Sequence, residues 1–196
     1  MITEADRVIR KMLAVRRDEI CPFSGKVQST RRDLARIFLE LGYKQGAEVG
    51  VRLGRYSEIL FHTIPDLKML CIDPYMAYER VRQTLADKWY ANAQERLEHH
   101  DVTFIRKTSM DGAKDVPDGS LDFVYIDGNH GFDYVMVDII LWAKKVRKGG
   151  IVSGHDYYHF YKGGVIWAVN AYTQAHTITN WYLTKEREGS WFWVKT

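Results

Sequence analysis

Apolar positions along this chain switch between two spacings, and the switches mark its elements. Near the N-terminus Ile2, Val8, Ile9, Met12 and Leu13 recur at helical intervals, which predicts an amphipathic helix over residues 2–15. Residues 21–29, with Pro22, Ser24 and Gly25, break the pattern as a loop. Thr30 then predicts a second helix, with Asp33 completing a shortened capping box, Leu34, Ile37, Phe38 and Leu41 as the buried stripe, and Gly42 as its end. From there short apolar runs alternate with helical patterns. Strands are predicted at 47–51, 68–72, 102–107, 122–126 and 151–153, and helices at 56–63, 78–99 and about 165–176. Between the fourth and fifth strands, Phe132, Val135, Ile139, Trp142 and Val146 form the stripe of a crossover helix. Its acids Asp133 and Asp138 come early and its bases Lys144, Lys145, Arg147 and Lys148 late, as the helix dipole favours, and Gly149-Gly150 is the predicted stop. Residues 181–185 and 190–194 are strand-like around Arg187-Glu188-Gly189, so they pair as a hairpin and add a final antiparallel strand.

This alternation predicts an α/β fold, a doubly wound, mostly parallel sheet with helices on both faces. At 196 residues the chain suits one domain, with 1–30 as an N-terminal helix and loop able to act as a lid and 31–196 as the core. The 28 basic and 25 acidic residues leave a net charge of +3, too mild to imply a nucleic-acid partner. The densest basic series, Arg7, Arg10, Lys11, Arg16 and Arg17, is interrupted by acids and reads as a solvated helix face. Cys71 sits inside the run Met69-Leu70-Cys71-Ile72 as a small buried residue, and with Cys21 the only other cysteine no disulfide framework is expected. Neither a signal peptide nor a stretch of ~20 apolar residues is present, so the expectation is a cytoplasmic protein with no membrane partner. Oligomeric state is open, a homo-oligomer included.

Chemistry concentrates past the predicted strand ends. The fourth strand stops at Asp127, followed by Gly128 and His130, and the fifth stops at His155 and Asp156. In an open parallel sheet, ligands collect outside the carboxyl ends of the strands. The first strand runs into Glu48-Val49-Gly50-Val51-Arg52-Leu53-Gly54, a turn whose glycines let backbone approach a ligand closely, and the second ends at Asp73, nineteen residues after Gly54. A carboxylate there can accept both hydroxyls of a ribose. Asp127 has a blander reading as a helix cap. The aromatic run 157–161 either lines an acceptor pocket or packs against the N-terminal helix or a second subunit, while Trp191-Phe192-Trp193 alternates as sheet packing.

The spacing Glu-x-Gly-x-x-x-Gly, followed in order by Ile-Asp-Gly-Asn-His, Lys-Gly-Gly and Gly-His-Asp-Tyr, resembles the class I methyltransferases that use S-adenosylmethionine. Within that class it resembles the small bacterial and phage branch related to macrocin-type sugar O-methyltransferases, over about residues 45–175. The resemblance implies a seven-stranded sheet of order 3-2-1-4-5-7-6 with strand 7 antiparallel. It implies that Glu48, Gly50 and Gly54 line the methionine side of the cofactor, Tyr56 and Ser57 approach its carboxylate, Asp73 holds the ribose, Ser109 and Met110 flank the adenine, and Asp127 begins the catalytic rim. Metal-dependent members carry a carboxylate after strand 4 and an acidic pair after strand 5, which makes Asp127, His155 and Asp156 the metal candidates for Mg²⁺ or Mn²⁺, with His130 as base. His155 stands where those relatives carry an acid, so use of a cation is open. The implied reaction is O-methylation of a small-molecule or sugar hydroxyl. A degenerate cofactor-binding or interaction protein and an NAD-dependent oxidoreductase are the alternatives, the last opposed by the glycine spacing. Gly50→Val is expected to abolish cofactor binding while leaving a cooperative melt.

Overall fold

The computed structural model describes residues 2–16, 18–25, 28–79 and 81–196, with the side chain of Tyr161 left out. Arg17 of the basic series and the Tyr161 side chain therefore lie outside what is described. Seven strands form one sheet: β1 (Gln45–Val49), β2 (Lys68–Ile72), β3 (Asp101–Ile105), β4 (Leu121–Ile126), β5 (Val146–Gly154), β6 (Trp181–Leu183) and β7 (Trp191–Val194). Their spatial order is 3-2-1-4-5-7-6. Pairings from β3 through β5 are parallel, and β7 runs antiparallel to both β5 and β6. The order reverses between β1 and β4, which is where such sheets open a ligand crevice.

Each face of the sheet is covered because the strands are apolar on both sides. Phe123 and Tyr125 point into one core with Leu34, Phe38, Tyr56 and Leu60, from α2 (Arg31–Glu40) and α3 (Arg55–Thr63). Val124 and Ile126 point into the other, with Ile139 and Trp142 of α6 (Phe132–Lys145) and Val169 of α7 (Gly164–Ala175). The Trp191-Phe192-Trp193 alternation divides between these cores, with Trp191 and Trp193 on the α6 and α7 side. The N-terminal helix α1 (Glu4–Met12) is closed by a capping box between Thr3 and Asp6. It docks at the β6 edge, where Tyr182 Oη donates to buried Asp6 at 2.8 Å and Phe23 forms a bridge to Tyr182. Removing that hydroxyl takes the donor from buried Asp6 Oδ1, while Oδ2 keeps its bonds from Thr3. Tyr182→Phe is expected to lower stability by about 1–3 kcal/mol, read as a lower denaturation midpoint with unchanged slope.

Several boundaries differ from the sequence expectation, and two of them by the most. Gly149-Gly150 does not stop α6; the helix ends at Lys145 and β5 starts at Val146, with the glycines inside the strand opposite a register irregularity between Leu121 and Phe123. Gly149 has φ +77°, and a Cβ on Gly150 would lie 2.4 Å from the Asp122 carbonyl, so the glycines serve close strand approach. The helix expected over 78–99 is α4 (Gln83–Leu97), because Tyr78 and Val81 exchange backbone hydrogen bonds in a separate turn before it.

Candidate active site

At the reversal point the loops after β1 and β4 press together. Gly50 has φ +91°, and a Cβ there would lie 2.2 Å from the carbonyl oxygen of Asp127. The glycine is thus required by neighbouring backbone. Gly54 caps α3 in the left-handed conformation at φ +69°. Between them, Val51 and Arg52 donate their N–H groups to Asp73 Oδ2 at 3.0 and 2.9 Å, while Asp73 Oδ1 accepts from Tyr75 N at 2.9 Å. The acid at the end of β2 therefore holds the glycine-rich turn in place.

Glu48 is buried on β1, where it accepts a short hydrogen bond from Ser57 of α3. Burial pushes its pKa up to about 8, against the opposing pull of that hydroxyl. Tyr56 packs against Tyr125 with ring centroids 4.1 Å apart and donates its hydroxyl to the Arg31 carbonyl at 3.1 Å. Beyond β3, α5 (Ser109–Gly112) lies over the end of β2, where a Cβ on Gly112 would come 2.9 Å from Ile72. Ser109 is partly buried there and Met110 is exposed.

Past β4 and β5 four titratable side chains meet. His130 Nε2 lies 2.5 Å from Asp156 Oδ2, and His155 Nδ1 lies 3.3 Å from Asp156 Oδ1 and 3.8 Å from Asp127 Oδ1. Asp127, His130 and Asp156 bring one ligand-type atom each within 4.8 Å of one another. His130 rather than the expected His155 completes this trio. Asp156 itself is left-handed, at φ 59°, and its Oδ2 faces His130 while its Oδ1 faces His155. Burial would lower both histidine pKa values, but hydrogen bonds to Asp156 outweigh it and hold both imidazoles above their ordinary value. Burial works against ionised Asp156 as well, yet the two histidines hold its carboxyl well below the usual range. Asp127 is raised to about 6, chiefly by burial. It does not cap α6, whose N-cap is Gly131 with no side-chain hydrogen bond; Asn129 Oδ1 receives the Gly131 N–H instead. A cavity of about 10 Å³, the room one water needs, is bounded by Ile126, Val135, Val165 and Trp191 together with the Asp127–His130 loop and His155.

Two contributors escaped the sequence reading. Arg31 opens α2, stands 5.5 Å over the Tyr56 ring, and its charge opposes in small part the upward pKa shifts of Glu48, Asp127 and His155. A basic residue in the first turn of a helix opposes the macrodipole, and that was the available signal. Trp191, read as sheet packing, also donates its indole N–H to the His155 carbonyl at 3.1 Å. In the aromatic run, Tyr157 turns inward to Trp181 and Asn170, whereas Phe160 sets its ring edge-on to His130 at 5.4 Å.

A sequence model of the methyltransferase domain matches residues 47–157, which span β1 to the Asp156 turn and more than half of the chain. The chain belongs to the methyltransferase-domain family. It is a class I S-adenosylmethionine-dependent methyltransferase, with the seven-stranded sheet of that class. Among solved structures this methyltransferase is similar to the O-methyltransferase TomG from Streptomyces achromogenes, involved in tomaymycin synthesis and solved with S-adenosylmethionine. The two share 16% identity over 100% of this chain and 92% of that one, with a TM-score of 0.61. It is also similar to the O-methyltransferase from Bacillus cereus solved with S-adenosylhomocysteine, at 12% identity over 98% and 90% of the two chains and a TM-score of 0.63. The N-methyltransferase NodS from Bradyrhizobium japonicum is similar as well, at 13% identity over 83% and 91% and a TM-score of 0.56. Likeness at these identities is likeness of fold, which serves both oxygen and nitrogen acceptors. No curated protein matches the methyltransferase in sequence. Among its described residues no helix is long and apolar enough to cross a membrane.

Proposed function

We propose that this methyltransferase is a cytoplasmic, single-domain enzyme of residues 1–196 that transfers the methyl group of S-adenosylmethionine to a hydroxyl of a small molecule or sugar. The branch related to macrocin-type O-methyltransferases is its proposed relative. The observation that carries the oxygen acceptor is the His130–Asp156 pair, 2.5 Å apart at the ends of two adjacent parallel strands. Displacement at a sulfonium carbon needs an aligned acceptor, and a hydroxyl must also lose its proton. His130 would accept that proton, and Asp156 would orient the imidazole and stabilise its charged form. Asp127 and His155 complete a set of two carboxylates and two imidazoles at this rim.

In the cofactor reading, Gly50 and Gly54 shape the turn, Glu48, Tyr56 and Ser57 support the methionine end, Asp73 takes the ribose, and Ser109 and Met110 border the adenine. A divalent cation fits the same rim, since the three ligand atoms of Asp127, His130 and Asp156 lie within reach of one ion. When bound it would act as a Lewis acid that lowers the acceptor's pKa.

Calorimetry and an acceptor panel test this reading. S-adenosylhomocysteine should bind, NAD should not, and hydroxyl acceptors should turn over in preference to matched amines; preference for amines would remove the oxygen assignment. Asp73→Ala is expected to weaken S-adenosylhomocysteine by at least about tenfold. Because three backbone N–H groups lose their acceptor, it should also lower the melting temperature. Unchanged affinity would place the ribose elsewhere.

A further inference from the structure

The guanidinium of Arg31 is a charge at the rim that the proposed transfer chemistry leaves unused. Backbone, not side chain, fixes this residue: its N–H donates to Glu186 Oε1 at 2.6 Å and its carbonyl accepts from Tyr56 Oη at 3.1 Å. Glu186, on the connector between β6 and β7, also accepts from Thr184 Oγ1 at 3.0 Å and Ser190 Oγ at 3.3 Å. The start of α2 is thereby tied to the far side of the sheet. From there a column of rings leads to the site: the guanidinium stands 5.5 Å over Tyr56, Tyr56 packs on Tyr125 at 4.1 Å, and the Tyr125 centroid lies 6.1 Å from that of His155. The side chain is half-buried, and among the described residues none accepts a hydrogen bond from it or forms an ion pair with it.

A cation in the first turn of a helix opposes the macrodipole, and half-burial strips part of its hydration, so Arg31 costs stability where it stands. A local rule broken without a compensating partner marks a site of function. Burial works to lower its pKa, yet Tyr125, Asp127, Glu186 and Tyr56 hold it above its ordinary value, so the charge is permanent. These four groups come from β4 and the loop after it, the β6–β7 connector and α3; none comes from β2 or β3, where the cofactor reading puts ribose and adenine. The guanidinium therefore faces the acceptor side of the rim, with a planar fork of donors that matches an oxyanion. We propose that Arg31 binds an anionic group, a carboxylate or phosphate, carried by the methyl acceptor, and so holds the acceptor's hydroxyl toward His130. This rests on the function proposed above and deepens it: the acceptor is an anionic hydroxy compound rather than a neutral phenol or sugar.

The test is calorimetric, with inorganic phosphate as the probe at low ionic strength, on protein saturated with S-adenosylhomocysteine. The parent should bind one phosphate. Arg31→Gln should weaken phosphate by about tenfold or more, as loss of a charge-assisted pair implies, while S-adenosylhomocysteine stays within about threefold. Arg31→Lys keeps the charge and loses the fork, so its phosphate affinity should fall between the two. In turnover, hydroxy acids should show a higher kcat/KM than their methyl esters, and Arg31→Gln should remove that advantage. No phosphate binding by the parent, equal binding by Arg31→Gln, or no advantage of acid over ester overturns the inference. Exclusion of phosphate by S-adenosylhomocysteine, with that ligand weakened about tenfold in Arg31→Gln, would assign the guanidinium to the cofactor's own carboxylate and overturn it too, leaving the cofactor reading in place. Should Arg31→Gln fail to fold, Arg31→Lys decides. Failure of the parent to bind S-adenosylhomocysteine would overturn the cofactor reading instead, and phosphate binding to the unloaded protein, lost in Arg31→Gln, would still uphold the anion site.

Discussion

His130→Ala is expected to reduce turnover on a hydroxyl acceptor by about a hundredfold or more while leaving S-adenosylhomocysteine affinity within about threefold. The imidazole meets Asp156 and the edge of Phe160, whereas the glycine-rich turn is held by Asp73, so removing it spares the turn. A base must be neutral to accept a proton, and His130 is held above its ordinary pKa because the Asp156 carboxylate outweighs burial. Activity should therefore rise with pH through that raised value. In Asp156→Asn the partner that raises it is gone, so the acid limb of kcat/KM should move to lower pH and the plateau should fall. A limb that stays in place would remove His130 from the role. Chelation separates the cation reading: with His130 as base, turnover persists in EDTA. Loss in EDTA with recovery in Mg²⁺ or Mn²⁺ would transfer deprotonation to an ion held by Asp127, His130 and Asp156.

Gly50→Val is expected to destabilise the protein by roughly 3 kcal/mol or more and to abolish cofactor binding. The left-handed backbone at φ +91° costs a branched residue about 1–3 kcal/mol, and a Cβ placed 2.2 Å from the Asp127 carbonyl adds an overpacking cost of about 1–3 kcal/mol. For a chain of this size the melting temperature should fall by roughly 6–12 °C. The sequence reading expects a cooperative melt, and the close approach of the Asp127 backbone adds that its midpoint falls. Gly54→Ala makes a useful contrast. Its nearest new neighbour is the movable Leu97 side chain at 3.2 Å, so only the left-handed φ is penalised, by about 1 kcal/mol or slightly more. If Gly50→Val melts with the parent, the β1 and β4 loops are less tightly apposed than the structure has them.

Much of the fold was legible along the chain because it is written locally. Apolar runs such as 122–126 and the helical stripe from Phe132 to Trp142 carry their periodicity in a few neighbouring residues. The hairpin signal around Arg187-Glu188-Gly189 was equally local, and it brought β7 to its antiparallel place beside β6. Carboxylates and histidines at strand ends pointed to one edge of the sheet for the same reason. What the sequence determined by itself was therefore the class of fold, the edge that carries the chemistry, and the residues crowded there. Only the tertiary structure decided how those residues are spent. Asp73 is tied to the backbone of the turn, His130 and not His155 completes the trio with Asp127 and Asp156, and Arg31 reaches the site from a helix far earlier in the chain. Each outcome depends on side-chain direction and on contacts between distant segments, such as the meeting of Asp156 with His130 and the closure of Gly50 on Asp127. Hydrophobic spacing sets which face of an element is buried; it does not set which of two adjacent polar groups turns inward.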